Sequence, residues 1–244
     1  MLGLGEAGAR IAADLVAAGC SVRAWDPARR VEGLPNAASD LEAVTGADVV
    51  LSLTTAAFAL AAAQSVAGGL APGALYADLN TSAPQLKREL AAVLPVPFAD
   101  VALIGAVPNL GLKIPALASG AGAERFAELF RPLGMPVEVV GEQPGDAAGM
   151  KLLRSVFMKG LAAIAIESLE AARAAGVEER VRADITGVIG EPLLERLLTG
   201  TQEHAARRVE EMRATAAYVE ELGVEPRMAT AAAEWLVQIR DAAR

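Results

Sequence analysis

The stretch Gly3-Leu4-Gly5-Glu6-Ala7-Gly8 decides the fold, and Asp26 follows it after one helical segment and one short apolar run. Its spacing is that of the G-x-G-x-x-G motif, which joins a strand to a helix and has an acidic residue about twenty positions later. The first glycine makes the tight turn, the second lets the backbone approach a pyrophosphate, and the third allows close helix–strand packing. We therefore predict a dinucleotide site at a helix N-terminus, built by Gly3, Leu4, Gly5, Glu6, Ala7 and Gly8.

The residues that follow this stretch support the prediction. Apolar residues continue at helical spacing through Ile11 and Leu15, Gly19 is a suitable stop, and residues 21–25 have the composition of a short strand that ends at Asp26. Glycine-rich turns before helices also serve purely structural purposes. A turn that binds no nucleotide is therefore the alternative interpretation.

Asp26 also bears on which dinucleotide would bind. A carboxylate at this position accepts hydrogen bonds from the free ribose hydroxyls of NAD and repels the 2′-phosphate of NADP. Arg29 and Arg30 follow closely and could hold that phosphate. The sequence thus favours NAD as cofactor, with NADP as the alternative, and we expect Asp26 and Arg30 to line the adenosine end of the site.

Four more polar residues directly follow predicted strands. Ligands of such sheets bind at the carboxyl ends of the strands, so we expect these side chains beside the cofactor. They are Thr54, Thr55, Asn80 and Thr81.

The first strand of the motif is unusually short. Strands of this kind hold about five residues, whereas only Met1 and Leu2 precede Gly3. We expect either that the true start lies upstream or that the central strand is cut short. The first explanation is favoured because the rest of the unit is intact.

Composition narrows the class of protein. The net charge of -8 argues against a nucleic-acid or anionic-membrane binder, and we expect neither as a partner. The single cysteine, Cys20, excludes an intramolecular disulfide and fits a reducing compartment, the cytoplasm. Residues 49–77 carry no charge, but polar residues, glycines and proline interrupt them, which is typical of a buried α/β segment rather than a membrane span. No signal peptide pattern is seen at the start of the chain.

Strand and helix patterns alternate over the first part of the chain, as a parallel sheet covered by helices requires. Strands are predicted at 48–53, 74–78, 97–103, 115–119 and 137–140, and helices at 56–66, 84–93 and 124–130. The predicted fold class is therefore α/β: an N-terminal Rossmann-type doubly wound sheet with a clipped first strand, followed by an all-α C-terminal domain. We place the dinucleotide-binding domain at 1–143 and the helical domain, for substrate and dimerisation, at 144–244.

The predicted helical domain opens with a long helix over about 146–175 whose apolar residues occur nearly all round. Such a helix is buried on several sides, and part of it is expected to face a second copy in a homodimer. Its apolar residues are Met150, Leu152, Leu153, Val156, Phe157, Leu161, Ile164, Ile166 and Leu169. Further helices are predicted at about 178–188, 191–199, 202–221 and 227–241.

Three later segments carry a family resemblance. They are Asp78-Leu79-Asn80-Thr81-Ser82-Ala83-Pro84, the run from Phe98 to Ala106, and Lys151 just inside the long helix. With the glycine-rich opening, this order resembles the β-hydroxyacid dehydrogenase and 6-phosphogluconate dehydrogenase superfamily. Lys159-Gly160 and the run His204-Ala205-Ala206-Arg207-Arg208-Val209-Glu210-Glu211-Met212 are similar to a branch of uncharacterised NAD(P)-binding proteins with a phosphogluconate-dehydrogenase-like C-terminal domain.

The resemblance implies that Lys151 is the catalytic acid/base. Hydride transfer between a carbinol carbon and nicotinamide needs a group that takes up or supplies the hydroxyl proton, and a lysine with a lowered pKa can do both. The alternative is a lysine near a helix start that only extends its ammonium group to solvent.

The chain departs from the family at the expected substrate site. Ser155 stands where the dehydrogenases have an asparagine, and Ile104 and Ala106 replace a serine and a glycine, while Gly105 is retained. We expect Gly105, Ala106, Ser155 and Lys159 to contact a small-molecule substrate that is larger or less polar than the usual β-hydroxy acid.

Two charged groups keep alternatives open. Lys159 could lower the pKa of Lys151 or bind an anion, or it could be a solvated or dimer-rim lysine. His204, Arg208 and Glu211 share a helical face, which is either an ion-paired surface or a cover that holds an anionic substrate group. A single histidine without a cysteine cluster argues against a zinc site, and no metal is expected.

The sequence thus predicts an NAD(P)-dependent dehydrogenase or reductase that acts on CH–OH groups. The alternatives are a C=N reductase resembling the imine reductases, which usually replace the lysine, and a dinucleotide-binding protein without catalysis.

Overall fold

The computed structural model describes residues 1–203 and 205–242, without the side chains of 202–207 and 242. The chain divides into two compact units, Met1–Lys151 and Leu152–Arg244. The division falls inside a long helix, whereas the sequence predicts it just before that helix.

The first unit is built on a five-stranded sheet whose strands lie side by side in chain order. Its strands are β1 (Val49–Ser52), β2 (Leu75–Asp78), β3 (Phe98–Leu103), β4 (Ala116–Ser119) and β5 (Val137–Gly141). All neighbours are parallel except β3 and β4, which are antiparallel. The expectation of an entirely parallel sheet is wrong at this pair. The segment between these strands contains only one turn of α-helix and a three-residue 3-10 helix, Gly111–Lys113, and a parallel crossover needs a longer connection.

The first strand is short but paired on both sides. Leu2 forms parallel bridges with Trp25 and with Ser52 of β1, and Ala24 bridges Asn36. The strand predicted over 21–25 is reduced in the structure to bridges at Ala24 and Trp25. The glycine-rich turn thus leaves the sheet where the strand order reverses, the usual ligand crevice of this architecture.

The helices of the first unit follow the sequence pattern, with short additions at two connections. They are α1 (Glu6–Ala17), α2 (Asp40–Val44), α3 (Ala56–Val66), α4 (Pro84–Val93), α5 (Val107–Leu110) and α6 (Ala123–Phe130). Neither α2 nor α5 was predicted; α2 is capped by Ser39, whose Oγ accepts a hydrogen bond from the N–H of Glu42 at 3.1 Å. Pro84 occupies the first turn of α4, where its missing N–H is not needed.

Alternate strand residues of the first unit enter two separate hydrophobic clusters. Leu75 and Ala77 pack in the cluster that includes Ile11 of α1, and Tyr76 packs in the cluster that includes Leu90 of α4. Helices therefore cover both faces of the sheet, which confirms the predicted doubly wound α/β class.

The second unit is helical in its described residues. Helix α7 (Asp146–Ala174) spans the division, and α8 (Glu178–Ile189), α9 (Glu191–Glu203), α10 (Ala205–Glu221) and α11 (Arg227–Ala242) follow. One cluster joins Val209 and Met212 of α10 to Leu236 of α11, and another joins Leu169 of α7 to Leu194 of α9. Among the described residues, no helix combines the length and apolarity needed to cross a bilayer.

Within the part of the chain that the structure describes, helix α7 has one buried side and one exposed side. Leu152 and Leu169 are almost fully buried. Large apolar side chains elsewhere on the helix are exposed, at Met150, Leu153, Phe157 and Ile164.

Candidate functional site

The three glycines of the opening motif are required for three different physical reasons. Gly3 has a φ of +92°, and a Cβ there would overlap the carbonyl oxygen of Leu53. A Cβ on Gly8 would overlap the carbonyl oxygen of Gly3, so helix and strand could not approach each other. A Cβ on Gly5 would have no protein atom within 4 Å. Gly5 therefore faces open space, where the motif requires room for a pyrophosphate.

The N-terminus of α1 borders this space. Gly5 is the N-cap residue and no side chain caps the helix, so its first N–H groups, at Glu6, Ala7 and Gly8, meet no capping side chain of the chain itself. Unpaired N–H groups and the positive end of the helix dipole attract phosphate. The open space and the uncapped helix together fit the pyrophosphate of a dinucleotide.

Asp26 links the glycine-rich turn to the next loop. Its Oδ2 accepts a hydrogen bond from the N–H of Leu4 at 2.8 Å, and its Oδ1 accepts from the N–H groups of Ala28 and Arg29 at 2.9 and 3.0 Å. Partial burial acts to raise the pKa of Asp26, but these backbone hydrogen bonds outweigh it and hold the pKa below its usual value. Oδ2 keeps the capacity to accept one more hydrogen bond, as a ribose hydroxyl would require.

Arg30 folds back onto the same loop. Its Nη1 donates to the carbonyl oxygens of Asp26 and Arg29, at 2.5 and 3.0 Å. The predicted adenosine-end residues Asp26 and Arg30 are therefore brought together.

The loops after β1 and β2 meet through Asn80. Its Nδ2 donates to Asp78 Oδ1 at 2.5 Å, to Ser52 Oγ at 3.1 Å and to Thr54 Oγ1 at 3.3 Å. Thr55 is the N-cap residue of α3, and its side chain makes no cap hydrogen bond. The carboxyl ends of the two strands thus form one polar edge.

Lys151 lies at this same edge. Its Nζ donates to Thr81 Oγ1 at 2.7 Å, and its side chain is half-buried. A lysine ammonium and a hydroxyl at this distance can hold an oxygen substituent and exchange a proton with it. Among the predicted residues, Lys151, Thr81, Asn80 and Thr54 are gathered by contacts within the first unit.

The predicted substrate loop leaves β3 at Gly105, which has a φ of +149°, and Ala106, and both residues are exposed. Its far side is fastened to α1: Arg10 Nη1 donates to the carbonyl oxygen of Pro108 at 3.1 Å, and Asp14 Oδ2 accepts from the N–H of Leu112 at 3.0 Å. These two hydrogen bonds therefore hold the loop against α1.

Ser155 and Lys159 contact each other in the second unit. Lys159 Nζ donates to Ser155 Oγ at 3.0 Å and forms an ion pair with Glu211 Oε2 of α10, also at 3.0 Å. Glu211 was predicted to share a face with His204 and Arg208, not to pair with Lys159. Arg208 donates to Thr201 of α9. His204 and the side chain of Arg207 lie outside the described residues.

Sequence reasoning missed a buried ionic group next to the polar edge. Asp78, Lys87 and Asp100 are fully buried, and Lys87 Nζ lies 2.7 Å from Asp78 Oδ2 and 3.0 Å from Asp100 Oδ1. One signal was available: Lys87 lies between Pro84 and Leu90 on the inward stripe of α4. The described residues contain no group of His, Cys, Asp and Glu side chains suited to a metal ion.

Two family models match the chain. Residues 1–102 match the NAD binding domain of 6-phosphogluconate dehydrogenase, and residues 172–239 match a domain of unknown function, DUF1932. The first match covers the glycine-rich turn, Asp26 and the loops that carry Thr54 and Asn80.

Known proteins of similar sequence or structure match the chain as well. An uncharacterised 28.5 kDa protein encoded in the 7S RNA 5′ region of Methanothermus fervidus is 30% identical over 173 residues, 69% of this chain and 66% of that protein. The solved conserved protein MTH1747, described as structurally similar to 3-hydroxyacid dehydrogenases, is 30% identical with a TM-score of 0.80, over 99% of this chain and 96% of that one. The 3-hydroxyisobutyrate dehydrogenase of Mycobacterium tuberculosis shares the fold at 21% identity, with a TM-score of 0.84 over 97% and 91% of the two chains.

Proposed function

The chain belongs to the superfamily of β-hydroxyacid and 6-phosphogluconate dehydrogenases, in the branch that carries the DUF1932 domain, and on that premise we propose that it is an NAD(P)-dependent oxidoreductase. Its substrate would be a hydroxy or keto compound, in particular a hydroxy or keto acid. The observation that carries the proposal is the hydrogen bond from Lys151 Nζ to Thr81 Oγ1, 2.7 Å long, at the polar edge formed by the loops after β1 and β2.

The first unit supplies the groups that would hold the cofactor. The open space at Gly5 and the uncapped N-terminus of α1 would take the pyrophosphate, and Asp26 Oδ2 would accept from a ribose hydroxyl. Thr54, Thr55, Asn80 and Thr81 would border the nicotinamide end. When bound, the nicotinamide ring gives or takes the hydride at the substrate carbon.

Lys151 would handle the proton of this reaction. In reduction, its ammonium group donates a proton to the carbonyl oxygen, and in oxidation its neutral amine takes the proton from the hydroxyl. The Thr81 hydroxyl accepts a hydrogen bond from Nζ and so holds the amine in place. Gly105, Ala106, Ser155 and Lys159 stay proposed substrate contacts.

Turnover and cofactor binding test the proposal separately. Hydroxy acids and their keto forms would be screened with NAD(H) and NADP(H), and Lys151→Met compared with Lys113→Met, which changes an exposed lysine. Lys151→Met is expected to lower kcat about 100-fold or more, as loss of a general acid/base does, with cofactor Kd unchanged. Full turnover by Lys151→Met would contradict the acid/base role.

Two other outcomes would point to the alternative functions. Binding of a dinucleotide without turnover of any carbonyl, hydroxyl or imine compound would indicate a binding protein. Reduction of cyclic imines but not of carbonyl compounds would indicate a C=N reductase.

We also propose NAD rather than NADP as the cofactor. The carboxylate of Asp26 keeps one acceptor position on Oδ2, and its low pKa keeps it charged, which disfavours a 2′-phosphate. Separate fluorescence titrations with NADH and NADPH test this preference. Tighter binding of NADPH would assign Arg29 and Arg30 to the 2′-phosphate instead.

The partner of the exposed α7 surface is proposed to be a second copy of this chain. Met150, Phe157 and Ile164 recur every seven residues, with Leu153 between the first two, and all four are exposed. A heptad-spaced apolar stripe on a long helix is self-complementary, since the same stripe of a second copy can interdigitate with it. This supports a homodimer formed through α7.

A further inference from the structure

Four adjacent strands contribute one buried polar residue each to a continuous row across the sheet. Ser52 pairs with Asp78, Asp78 with Asp100, and Asp100 with Ser119 in the strand registers. All four residues are fully buried. Buried polar side chains are costly unless they are paired. Within the row Ser119 donates to Asp100 at 3.2 Å, and Asn80 donates to both Ser52 and Asp78.

Lys87 provides the positive charge for this row. From α4 it donates to Asp78 Oδ2 at 2.7 Å and to the Asp78 carbonyl oxygen at 3.0 Å, and it lies 3.0 Å from Asp100 Oδ1. Three oxygens of two residues thus lie within 3.0 Å of the ammonium nitrogen, two of them as hydrogen-bond acceptors and Asp100 Oδ1 as an ion-pair partner. Burial alone would lower the pKa of Lys87, but the charges of Asp100 and Asp78 outweigh it, and the pKa is raised.

Asp100 also binds the start of α7 through hydrogen bonds. Its Oδ2 accepts from the N–H groups of Gly145 and Ala148 at 3.2 and 2.9 Å, and Ser119 Oγ accepts from the N–H of Ala147 at 3.0 Å. The sheet therefore caps the first turn of α7 with a carboxylate and a hydroxyl. The N-terminus of α1, which is left uncapped, is the opposite case.

Asp78 binds the loop after β2 through a hydrogen bond. Its Oδ1 accepts from Asn80 Nδ2 at 2.5 Å, while its Oδ2 is held by Lys87. Asn80 directly precedes Thr81, whose Oγ1 accepts from Lys151 at 2.7 Å. The two carboxylates held by Lys87 thus act on the two chain segments that meet at the Lys151–Thr81 contact.

We propose that Lys87 is a positioning residue that holds Asp78 and Asp100 together and so sets Lys151 against Thr81. Its catalytic meaning rests on the proposed function of Lys151, but the positioning itself does not. Without Lys87, two carboxylates would be left without their cation in the protein interior, and each would have to protonate or turn away from its N–H partners. Either change loosens the loop after β2 and the first turn of α7.

Competitive labelling of lysine amines tests this without cofactor or substrate. The chain has four lysines, Lys87, Lys113, Lys151 and Lys159. The full-length protein would be labelled with a trace amount of an acylating reagent, and the Lys151-to-Lys113 labelling ratio read by peptide mass spectrometry. Lys113 is exposed and serves as the internal reference.

Lys87→Met is expected to raise the ratio about fivefold, the size of effect produced by losing one helix cap. The control for lost stability is Leu90→Ala, which empties a buried position one turn further along α4 and leaves the row intact. If the effect is positioning rather than general loosening, Leu90→Ala leaves the ratio at the wild-type value.

A second pair of variants keeps the test decisive if Lys87→Met does not fold. Ser119→Ala removes the hydroxyl that caps α7 and should also raise the ratio. Ser65→Ala removes a hydroxyl that donates to Asp40 elsewhere in the same unit and should not. An unchanged or lower ratio in folded Lys87→Met, or in Ser119→Ala when the former is unfolded, would overturn the proposal. A raised ratio in a protein without turnover would support the positioning role and count only against the proposed function.

Discussion

Gly5 and Gly8 are three residues apart, yet a methyl group at each would meet different surroundings. At Gly8 it would overlap the Gly3 carbonyl oxygen, whereas at Gly5 it would project into open space. The same substitution is therefore expected to have opposite consequences at the two positions.

Gly8→Ala is predicted to lower the free energy of unfolding by about 3 kcal/mol, since backbone must move to admit the methyl group. Gly5→Ala should cost less than about 1 kcal/mol, as expected for alanine at an N-cap, but weaken NADH binding. Denaturant unfolding and NADH titration of both variants measure the two effects. Unimpaired NADH binding by folded Gly5→Ala would argue against a pyrophosphate at this turn.

The raised pKa of Lys87 predicts how the stability of the protein changes at alkaline pH. Because its pKa in the folded protein is raised above the usual 10.5, its stabilisation is complete below pH 10.5 and is lost as the pH rises through the folded-state pKa. The thermal midpoint of the wild type should fall over this range more steeply than that of Lys87→Met. If the thermal midpoints of the two proteins fell equally with pH, deprotonation of Lys87 would not be the cause of the alkaline loss of stability.

At the scale of elements, the pair Lys159–Glu211 connects α7 with α10. Both side chains are 16% exposed, and the ammonium also donates to Ser155. Removal of either charge leaves the other poorly solvated, which is more costly than removing both.

A double-mutant cycle is expected to show this coupling. Lys159→Met and Glu211→Gln should each lower the free energy of unfolding. The loss in the double variant should be smaller than the sum of the two single losses by about 1–3 kcal/mol. Arg180 and Asp184, an exposed pair four residues apart on α8, give the matched control with a coupling below about 0.5 kcal/mol. Chemical denaturation provides the four free energies of each cycle. Equal, small couplings in the two cycles would show that the α7–α10 pair adds nothing beyond a surface ion pair.

At the scale of the whole molecule, the apolar stripe of α7 predicts self-association. Phe157 is 67% exposed at the centre of this stripe. Phe157→Glu should convert a dimer to a monomer, because two negative charges would face and repel each other across the two-fold interface. Val188→Glu changes a residue of α8 that is 84% exposed and lies outside the stripe.

Sedimentation velocity distinguishes the outcomes. We expect a dimer for the wild type and for Val188→Glu, and a monomer for Phe157→Glu. A wild-type monomer at micromolar concentration, or a dimer that survives Phe157→Glu, would contradict the proposed interface.

Local rules were sufficient for most of the architecture. The glycine spacing, Pro84 at the start of α4 and the alternation of apolar runs act within one turn or one strand, so they predict the doubly wound sheet and the bounds of most helices. The same rules failed at the strand predicted over 21–25. How far a strand extends depends on the strands that pair with it, and in the structure only Ala24 and Trp25 of this segment form bridges.

The direction of β4 escaped prediction for a similar reason. Its sequence is that of a buried strand, and the composition of such a strand is the same whether its neighbour runs parallel or antiparallel. The connection from β3 decides, and that connection contains no helix long enough to cross over the sheet.

The sequence by itself determined the α/β class, the glycine-rich turn and the loops with Thr54 and Asn80, because each depends on residue type at short spacing. Lys151 stays a proposed acid/base, which the family resemblance implies and spacing alone does not. Only the tertiary structure decided that Lys151 meets Thr81, that Asp26 braces Leu4, and that Lys87 joins Asp78 to Asp100. These contacts join residues that lie 9 to 70 positions apart in the chain and on different elements. A buried lysine between two carboxylates has no local signature beyond one charged residue on the inward stripe of α4, since its stability comes from partners on β2 and β3.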